Sequence, residues 1–466
     1  MLPFTKITLT SGFAIFLSLS SCTNVGPDYE GVKDNLPSHY KNSGWPEPLP
    51  TGDPFKAFKD RELNRLLAEA GIRNQDLAAA LARIDQARAT LGLSRADQLP
   101  SLDAGVSGLQ NLDSRNANFT TSGGAYGDYE ANLNLSYEVD LWGRVRRSVN
   151  QATANLQASE ADYAAASLSL KSELARNYLT LRSLDREIAL LKETSSLRQR
   201  RLELTRARAK SGTASDLDVS RAETEAESNL AEIARLENRR GELENAIAAL
   251  VGQPATNFAI ATKVDGAEIP NIPAGVPSDL LRRRPDVLAA ERRLAAANEG
   301  VGLSIAEYLP RLTLTGSGGV SGVDASDLFN RSSRFYSFGP NLFVPIFQGG
   351  RIKYDRERSE AIFREALADY RQTLLGAIRD TETAILGTRT LNRALSSQEK
   401  AAEASARTAR LSRVRYEGGL DSLFEVIETE RQTLEQERLL TQTRLNNQLA
   451  AVNLIQAIGG EWKSAK

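Results

Sequence analysis

In "DYEANLNLSYEVD", residues 128 to 140, Tyr129, Ala131, Leu133, Leu135, Tyr137 and Val139 alternate with Glu130, Asn132, Asn134, Ser136, Glu138 and Asp140. A period of two puts the apolar set on one face of a β-strand and the polar set on the other. "SLDAGVSGLQ" ahead of it, and "RLTLTGSGGVSG" and "FYSFGPNLFVPIFQ" further on, predict two hairpins, over about 101–140 and 311–347, with polar loops such as "NLDSRNANFTTSGGAYG". Elsewhere the period is helical. "NQDLAAALARIDQARATLGLSRA" carries apolar residues at spacings of three and four, and "RRRPDVLAAERRLAAANEGVGLSIA" does the same from Pro285-Asp286, a first-turn proline being a helix-start signal. Both helices are expected to stop at Leu99-Pro100 and Leu309-Pro310, because the residue before proline is pushed towards extended geometry.

The longest elements follow the hairpins. From Arg144 to about Ala209 there is neither proline nor glycine, and Leu170, Leu184 and Leu191, with Leu174, Leu181, Ile188 and Leu202, trace two seams at heptad spacing. At about 1.5 Å per residue such a helix extends on the order of 100 Å. Gly212 breaks it and a second long helix returns from "ASDLDVSRAETEA"; the later pair turns at Gly418-Gly419. Helix ends commonly need a left-handed residue, and glycine takes that conformation without a steric penalty.

The chain is written twice. "LGLSRADQLPSL" at 91 to 102 matches "VGLSIAEYLPRL" at 301 to 312, an offset of 210. Beyond the hairpins the offset is 207: Gly143-Arg144 answers Gly350-Arg351, "ADY" at 161 answers "ADY" at 368, and Gly212 answers Gly419. A period this long marks a duplicated half-domain and not a short-repeat solenoid. The repeats run over about 61–253 (helix, hairpin 101–140, long helical pair 144–250) and 285–460 (helix, hairpin 311–347, long helical pair 351–458).

At the N-terminus Lys6, "FAIFLSL" and Leu19-Ser20-Ser21 make the three parts of a secretory signal, residues 1–21, whose apolar run is too short to span a bilayer. The sole cysteine, Cys22, follows in "LSSC", which resembles the bacterial lipobox, where the cysteine becomes the first mature residue and carries acyl chains. The alternative is a free thiol near an ordinary cleavage site. With one cysteine the exported chain makes no internal disulfide. Thr23 stands where lipoproteins kept at the inner membrane tend to have aspartate, and that resemblance points to the outer membrane.

Charge excludes some functions. There are 58 basic and 59 acidic residues, which gives no electrostatic case for nucleic-acid binding. No long segment is free of charges, so a membrane would have to be crossed by strands. The one histidine, His39, lies in a proline-rich segment, and no Cys/His cluster, phosphate loop or nucleophile elbow is present, so neither an enzyme nor a metal site is expected. Four strands cannot close a barrel, and an open edge in lipid leaves backbone groups unsatisfied. Several copies must therefore share one barrel, and three copies would supply twelve strands.

"CTNVGPDY", "LRRRPDVLAAERRLAAANEGVGLSIAEYLPRL" and the paired turns "RARAKSGTASDLDV" and "RVRYEGGLDSLFEV" resemble the TolC-like outer-membrane factor family, in its lipoprotein branch serving RND multidrug efflux. The resemblance covers essentially the whole mature chain. It implies a mainly α fold with membrane β, a homotrimer whose twelve-stranded barrel is continued by an α-helical coiled-coil periplasmic tunnel. A small equatorial domain would come from residues 22–60, the linker 254–284 and the C-terminal end, with 461–466 as a tail. The implied function is a passive exit duct in the outer membrane, served by a periplasmic adaptor and an inner-membrane RND transporter, with no cofactor beyond the lipid on Cys22. Competing readings are a periplasmic coiled-coil scaffold lipoprotein and the duct of a type I secretion system.

Family positions carry over residue by residue. Adaptor-contact tips fall at Arg208, Gly212, Ser215 and Val219 in the first copy and at Arg415, Gly419, Ser422 and Val426 in the second. A periplasmic gate falls at Asp218, Tyr416, Glu425 and Glu428, the glutamates replacing commoner aspartates and Asp421 replacing a basic partner. The plainer readings stand beside these: turn glycines that only make a turn, and acids that are merely solvated. Arg282, Arg283 and Arg284 read as surface ion pairs, and Trp142 either as an interface aromatic or as packing at a strand–helix junction.

Overall fold

The computed structural model describes residues 24–32, 36–42, 52–114, 125–264, 267–273, 275, 277 and 280–460. The signal segment, Cys22 and the tail lie outside the described residues. The elements, in chain order, are α1 (Arg61–Arg73), α2 (Gln75–Ala96), β1 (Ser101–Leu112), β2 (Ala125–Val139), α3 (Arg144–Lys210), α4 (Asp216–Val251) and α5 (Leu280–Arg283), followed by α6 (Pro285–Ala306), β3 (Arg311–Gly322), β4 (Arg334–Phe343), α7 (Arg351–Glu417) and α8 (Leu423–Ala457). The duplication holds in three dimensions: α6 begins and ends 210 positions after α2, and α7 begins and ends 207 after α3.

Two compact units form. The strand unit gathers 84–159 and 290–370 with the N-terminal segment; the helical unit gathers the remainder. In the strand unit the sheet order is β1-β2-β3-β4, antiparallel throughout. Register aligns the apolar residues on one face: Leu102 faces Leu135, Leu135 faces Gly316, and Gly316 faces Phe338. The other face is polar, with Asp103 opposite Asn134 and Ser107 opposite Glu130. Val106, Tyr336 and Phe338 are 86%, 90% and 73% exposed, so among the described residues no layer covers this face. Among the described residues, β1 and β4 have free outer edges, and no helix is long and apolar enough to cross a membrane.

Three boundaries differ from the sequence expectation. β4 ends at Phe343 instead of running to residue 347, since Pro345 has no N–H to give a ladder. Helices α2 and α6 end at Ala96 and Ala306, three residues before the Leu-Pro pairs, in a turn closed by Leu99 N–H to Ala96 and Leu309 N–H to Ala306. A further helix, α1, precedes the one expected from Asn74, and at the break between them the Asn74 side chain accepts the N–H groups of Asp76 and Leu77 as an N-cap.

The strand unit also holds the segment after the cysteine. Arg147, on the first turns of α3, is 1% exposed. Its guanidinium donates to the carbonyls of Val25 (3.2 Å), Gly26 (3.2 Å) and Pro27 (3.1 Å), and pairs with Asp28 and Glu299 at 3.0 Å each. The Val25 N–H donates to the Trp142 carbonyl, Asn298 donates to Pro27, and the Tyr29 hydroxyl donates to Glu291. Residues 25–29 are thus strapped between α3 and α6. Trp142 Nε1 donates to the Pro310 carbonyl at 2.8 Å, so the indole stitches the end of β2 to the start of β3.

In the helical unit every residue of the two heptad seams is buried: Leu170, Leu174, Leu181, Leu184, Ile188, Leu191 and Leu202. A second core gathers Phe55, Phe58, Leu63, Leu66 and Ala70, where Asp60 caps α1 and accepts the Tyr178 hydroxyl. The arginine run departs from its expected solvated state at Arg284. That side chain is 13% exposed, pairs with Asp286 and Asp380, and donates to the carbonyls of Ala377 and Ala457. The break between α5 and α6 turns it inward, where it satisfies carbonyls of two helices at once.

Candidate functional site

The helical unit carries both tip turns. At the first, Gly212 has φ of +72°, its N–H reaches the Ala209 carbonyl, and the Thr213 N–H reaches Arg208. At the second, Gly419 has φ of +74°, its N–H reaches Tyr416, and the Leu420 N–H reaches Arg415. These are two Schellman caps closing α3 and α7 with the same bonds. A Cβ built on either glycine meets no atom within 4 Å. The turns are therefore glycine for backbone reasons alone, and the space around them is open.

The returning helices start alike. Ser215 caps α4: its Oγ accepts the Asp218 N–H and donates to the Asp218 carboxylate at 2.7 Å, while the Ser215 N–H donates to the same oxygen. This capping box holds the Asp218 carboxyl below its usual range through the Ser215 hydrogen bonds. Ser422 caps α8, accepting the Glu425 N–H at 3.4 Å. Arg208, Ser215, Arg415, Ser422 and Glu425 are exposed and Val219 is half-buried. Val426 is 5% exposed, so it packs inside the hairpin and offers no side chain to a partner.

Among the described residues, no hydrogen bond joins any two of the four gate positions. Asp218 is engaged in its cap. Glu428 accepts from Arg431 at 2.7 Å and from Gln432, and the Arg431 bond lowers its carboxyl below the ordinary value. Tyr416 is half-buried in the last turn of α7, and Glu425 lies exposed on the first turn of α8. Arg415 is bound to Asp421 at 2.7 Å within its own turn. Deeper in, Glu430 of α8 accepts from Arg413 of α7 (2.7 Å) and Arg201 of α3 (2.5 Å), which ties the two hairpins together.

The profile of the outer membrane efflux protein family matches residues 66–253 and 276–460. The chain belongs to the outer membrane efflux protein family. It is 34% identical over 416 residues to the pyoverdine export outer membrane protein OpmQ of Pseudomonas aeruginosa, covering 88% of this chain and 87% of that one. It is 31% identical to outer membrane protein OprJ of the same species, covering 98% and 96%. Among solved structures it superposes on the outer-membrane channel OprN with a TM-score of 0.85 at 28% identity, over 94% of this chain and 99% of that one.

This efflux protein is thus the outer-membrane channel of a tripartite efflux system, and it resides in the outer membrane and reaches into the periplasm. Its fold class is the trimeric one: four strands from each chain in a twelve-stranded barrel, together with an α-helical tunnel. The free edges of β1 and β4 are where neighbouring chains pair. Three features of the efflux protein escaped sequence reasoning. Arg147 and Glu430 sit in charge-rich helical stretches that look solvated, and Arg284 sits in a basic run. For Arg147 the one available signal was "GPDY", a stiff segment that needs something to hold it.

Proposed function

We propose that the two glycine tips dock the periplasmic adaptor, and that the chain acts as a passive exit duct for substrates passed on by an inner-membrane transporter of the RND class. Cys22 carries a lipid in this reading, and the chain performs no catalysis and holds no cofactor. The observation that carries it is the pairing of the tips: two turns 207 positions apart keep one backbone geometry, open to solvent and free of packing that would explain them. Heptad seams need helices to turn, but they do not need two identical open caps.

The test replaces Gly212 or Gly419 with leucine and, separately, with asparagine. A left-handed residue with a branched side chain costs about 1–2 kcal/mol, and asparagine costs less. The expected result is loss of efflux in the leucine variants with heat-sensitive trimer bands intact, and largely retained efflux with asparagine. Misassembled leucine variants would return the glycines to a purely structural role. For the lipid, metabolic labelling with a fatty acid is expected to mark the wild type and not Cys22→Ser; an unlabelled wild type removes it.

A further inference from the structure

The two tips share a backbone and differ in most of their exposed side chains. Taken 207 positions apart, Lys210 is answered by Glu417, Thr213 by Leu420, Ala214 by Asp421 and Leu217 by Phe424. At the first tip Arg208 and Lys210 are exposed, and among the described residues neither forms an ion pair. Towards α4 the acids are Asp216, which forms no ion pair among the described residues, and Asp218, which is already satisfied by the Ser215 cap. At the second tip the equivalent arginine, Arg415, is neutralised by Asp421 at 2.7 Å. Beside that closed pair, Leu420 and Phe424 are 72% and 68% exposed, whereas the first tip presents Leu217 at 58% and Thr213 in place of the leucine.

A leucine and a phenylalanine exposed four positions apart are costly in water and are stabilised when a partner covers them. A free arginine and lysine on an open turn have no such cost; they await an anion, and their attraction is screened by salt. We infer that the tips bind the adaptor by different chemistry, the first as a cationic site and the second as an apolar anchor. This rests on the docking reading above. One adaptor hairpin serves both tips only if it offers a carboxylate towards Arg208 and Lys210 and an apolar side chain towards Leu420 and Phe424. In a trimer the two kinds of tip are equal in number, so half the docking positions are salt-sensitive and half are not.

The experiment uses full-length trimers in nanodiscs and the purified periplasmic adaptor with which this chain restores efflux in a channel-deficient strain. Leu420→Ser with Phe424→Ser is expected to weaken adaptor binding roughly 10- to 100-fold, as expected for one or two large apolar side chains losing burial. That loss stays the same between low and high salt, and Phe424→Leu restores most of the binding. Arg208→Gln with Lys210→Gln is expected to weaken binding only about threefold at low salt and to remove its salt dependence. Both pairs are exposed, so heat-sensitive trimer bands persist in each variant. Equal losses with equal salt dependence overturn the division of labour. Loss of trimer with adaptor binding unchanged shows that a neighbouring copy covers the apolar patch, which also overturns it. A wild-type trimer that binds no adaptor removes the docking reading itself, and this inference with it.

Discussion

Helix α3 begins beside Arg147 and ends beside Arg208, and the two arginines live opposite lives. Arg147 is 1% exposed, with two carboxylates and three carbonyls around it. Arg208 is exposed on an open turn and, among the described residues, holds no carboxylate. A buried guanidinium must have all its donors engaged, because leaving it unpaired costs several kcal/mol. An exposed one loses little when unpaired and remains available. Charge at the start of the helix therefore serves folding, whereas charge at its end is left available to solvent and to a partner.

The comparison breaks most severely at the strap. Arg147→Ala leaves Glu299 buried without its partner and removes four bonds to residues 25–28, and is expected to cost about 3–5 kcal/mol in denaturant unfolding. Arg208→Ala is expected to stay within about 0.5 kcal/mol. Similar losses at the two positions would show that burial is not what separates them.

Glu430 tests an intermediate case, a half-buried acid between two arginines. Burial pushes its carboxyl up, but hydrogen bonds from Arg413 and Arg201 outweigh that and leave it below its ordinary value of 4.5. A lowered folded pKa means that the stabilisation is complete above pH 4.5 and is lost as pH falls through the lowered folded value. Protection from hydrogen exchange at the ends of α7 and α8, taken relative to the unfolded-peptide rate at each pH, is expected to fall on acidification below that point, by an opening energy of about 1 kcal/mol. Glu430→Gln should show the faster exchange already at neutral pH and lose the acid response. An unchanged acid response in that variant would place the titration elsewhere.

The smallest effect is expected at the gate acids. Neutralising Glu425 and Glu428 together should lower cation selectivity and divalent block of the channel, read by single-channel recording. Because Arg431 already offsets Glu428, Glu425→Gln alone should account for most of the change. Recordings in which neither property moves would take these residues off the conduction path.

Much of this architecture was legible from one sequence because its cues are local. Alternation in 128–140, heptad seams in α3 and glycines at 212 and 419 each act over a few residues, and the duplication made each cue appear twice. The tip geometry was legible for the same reason: a Schellman cap is written in five or six positions. What escaped depends on partners far along the chain. Arg147 meets residues more than a hundred positions earlier and later, and Arg284 meets Asp380 and Ala457. Val426 belonged to a tip motif, yet helical phase turns it inward, which a motif match does not reveal. The early end of β4 was in the sequence as Pro345 and was masked by the apolar run around it.

The free edges of β1 and β4 carry a genetic consequence. Since one barrel draws its strands from three chains, a defect in one sheet is inflicted on two sound neighbours. A cell making intact and defective chains in equal amounts holds only about one-eighth of its trimers wholly intact, if the chains mix freely. Lesions in the sheet that still permit assembly will therefore behave as dominant. Lesions at the strap that stop a chain from folding remove that chain from the pool and will behave as recessive. The inheritance pattern of a variant thus reports whether its defect acts before or after the chains meet.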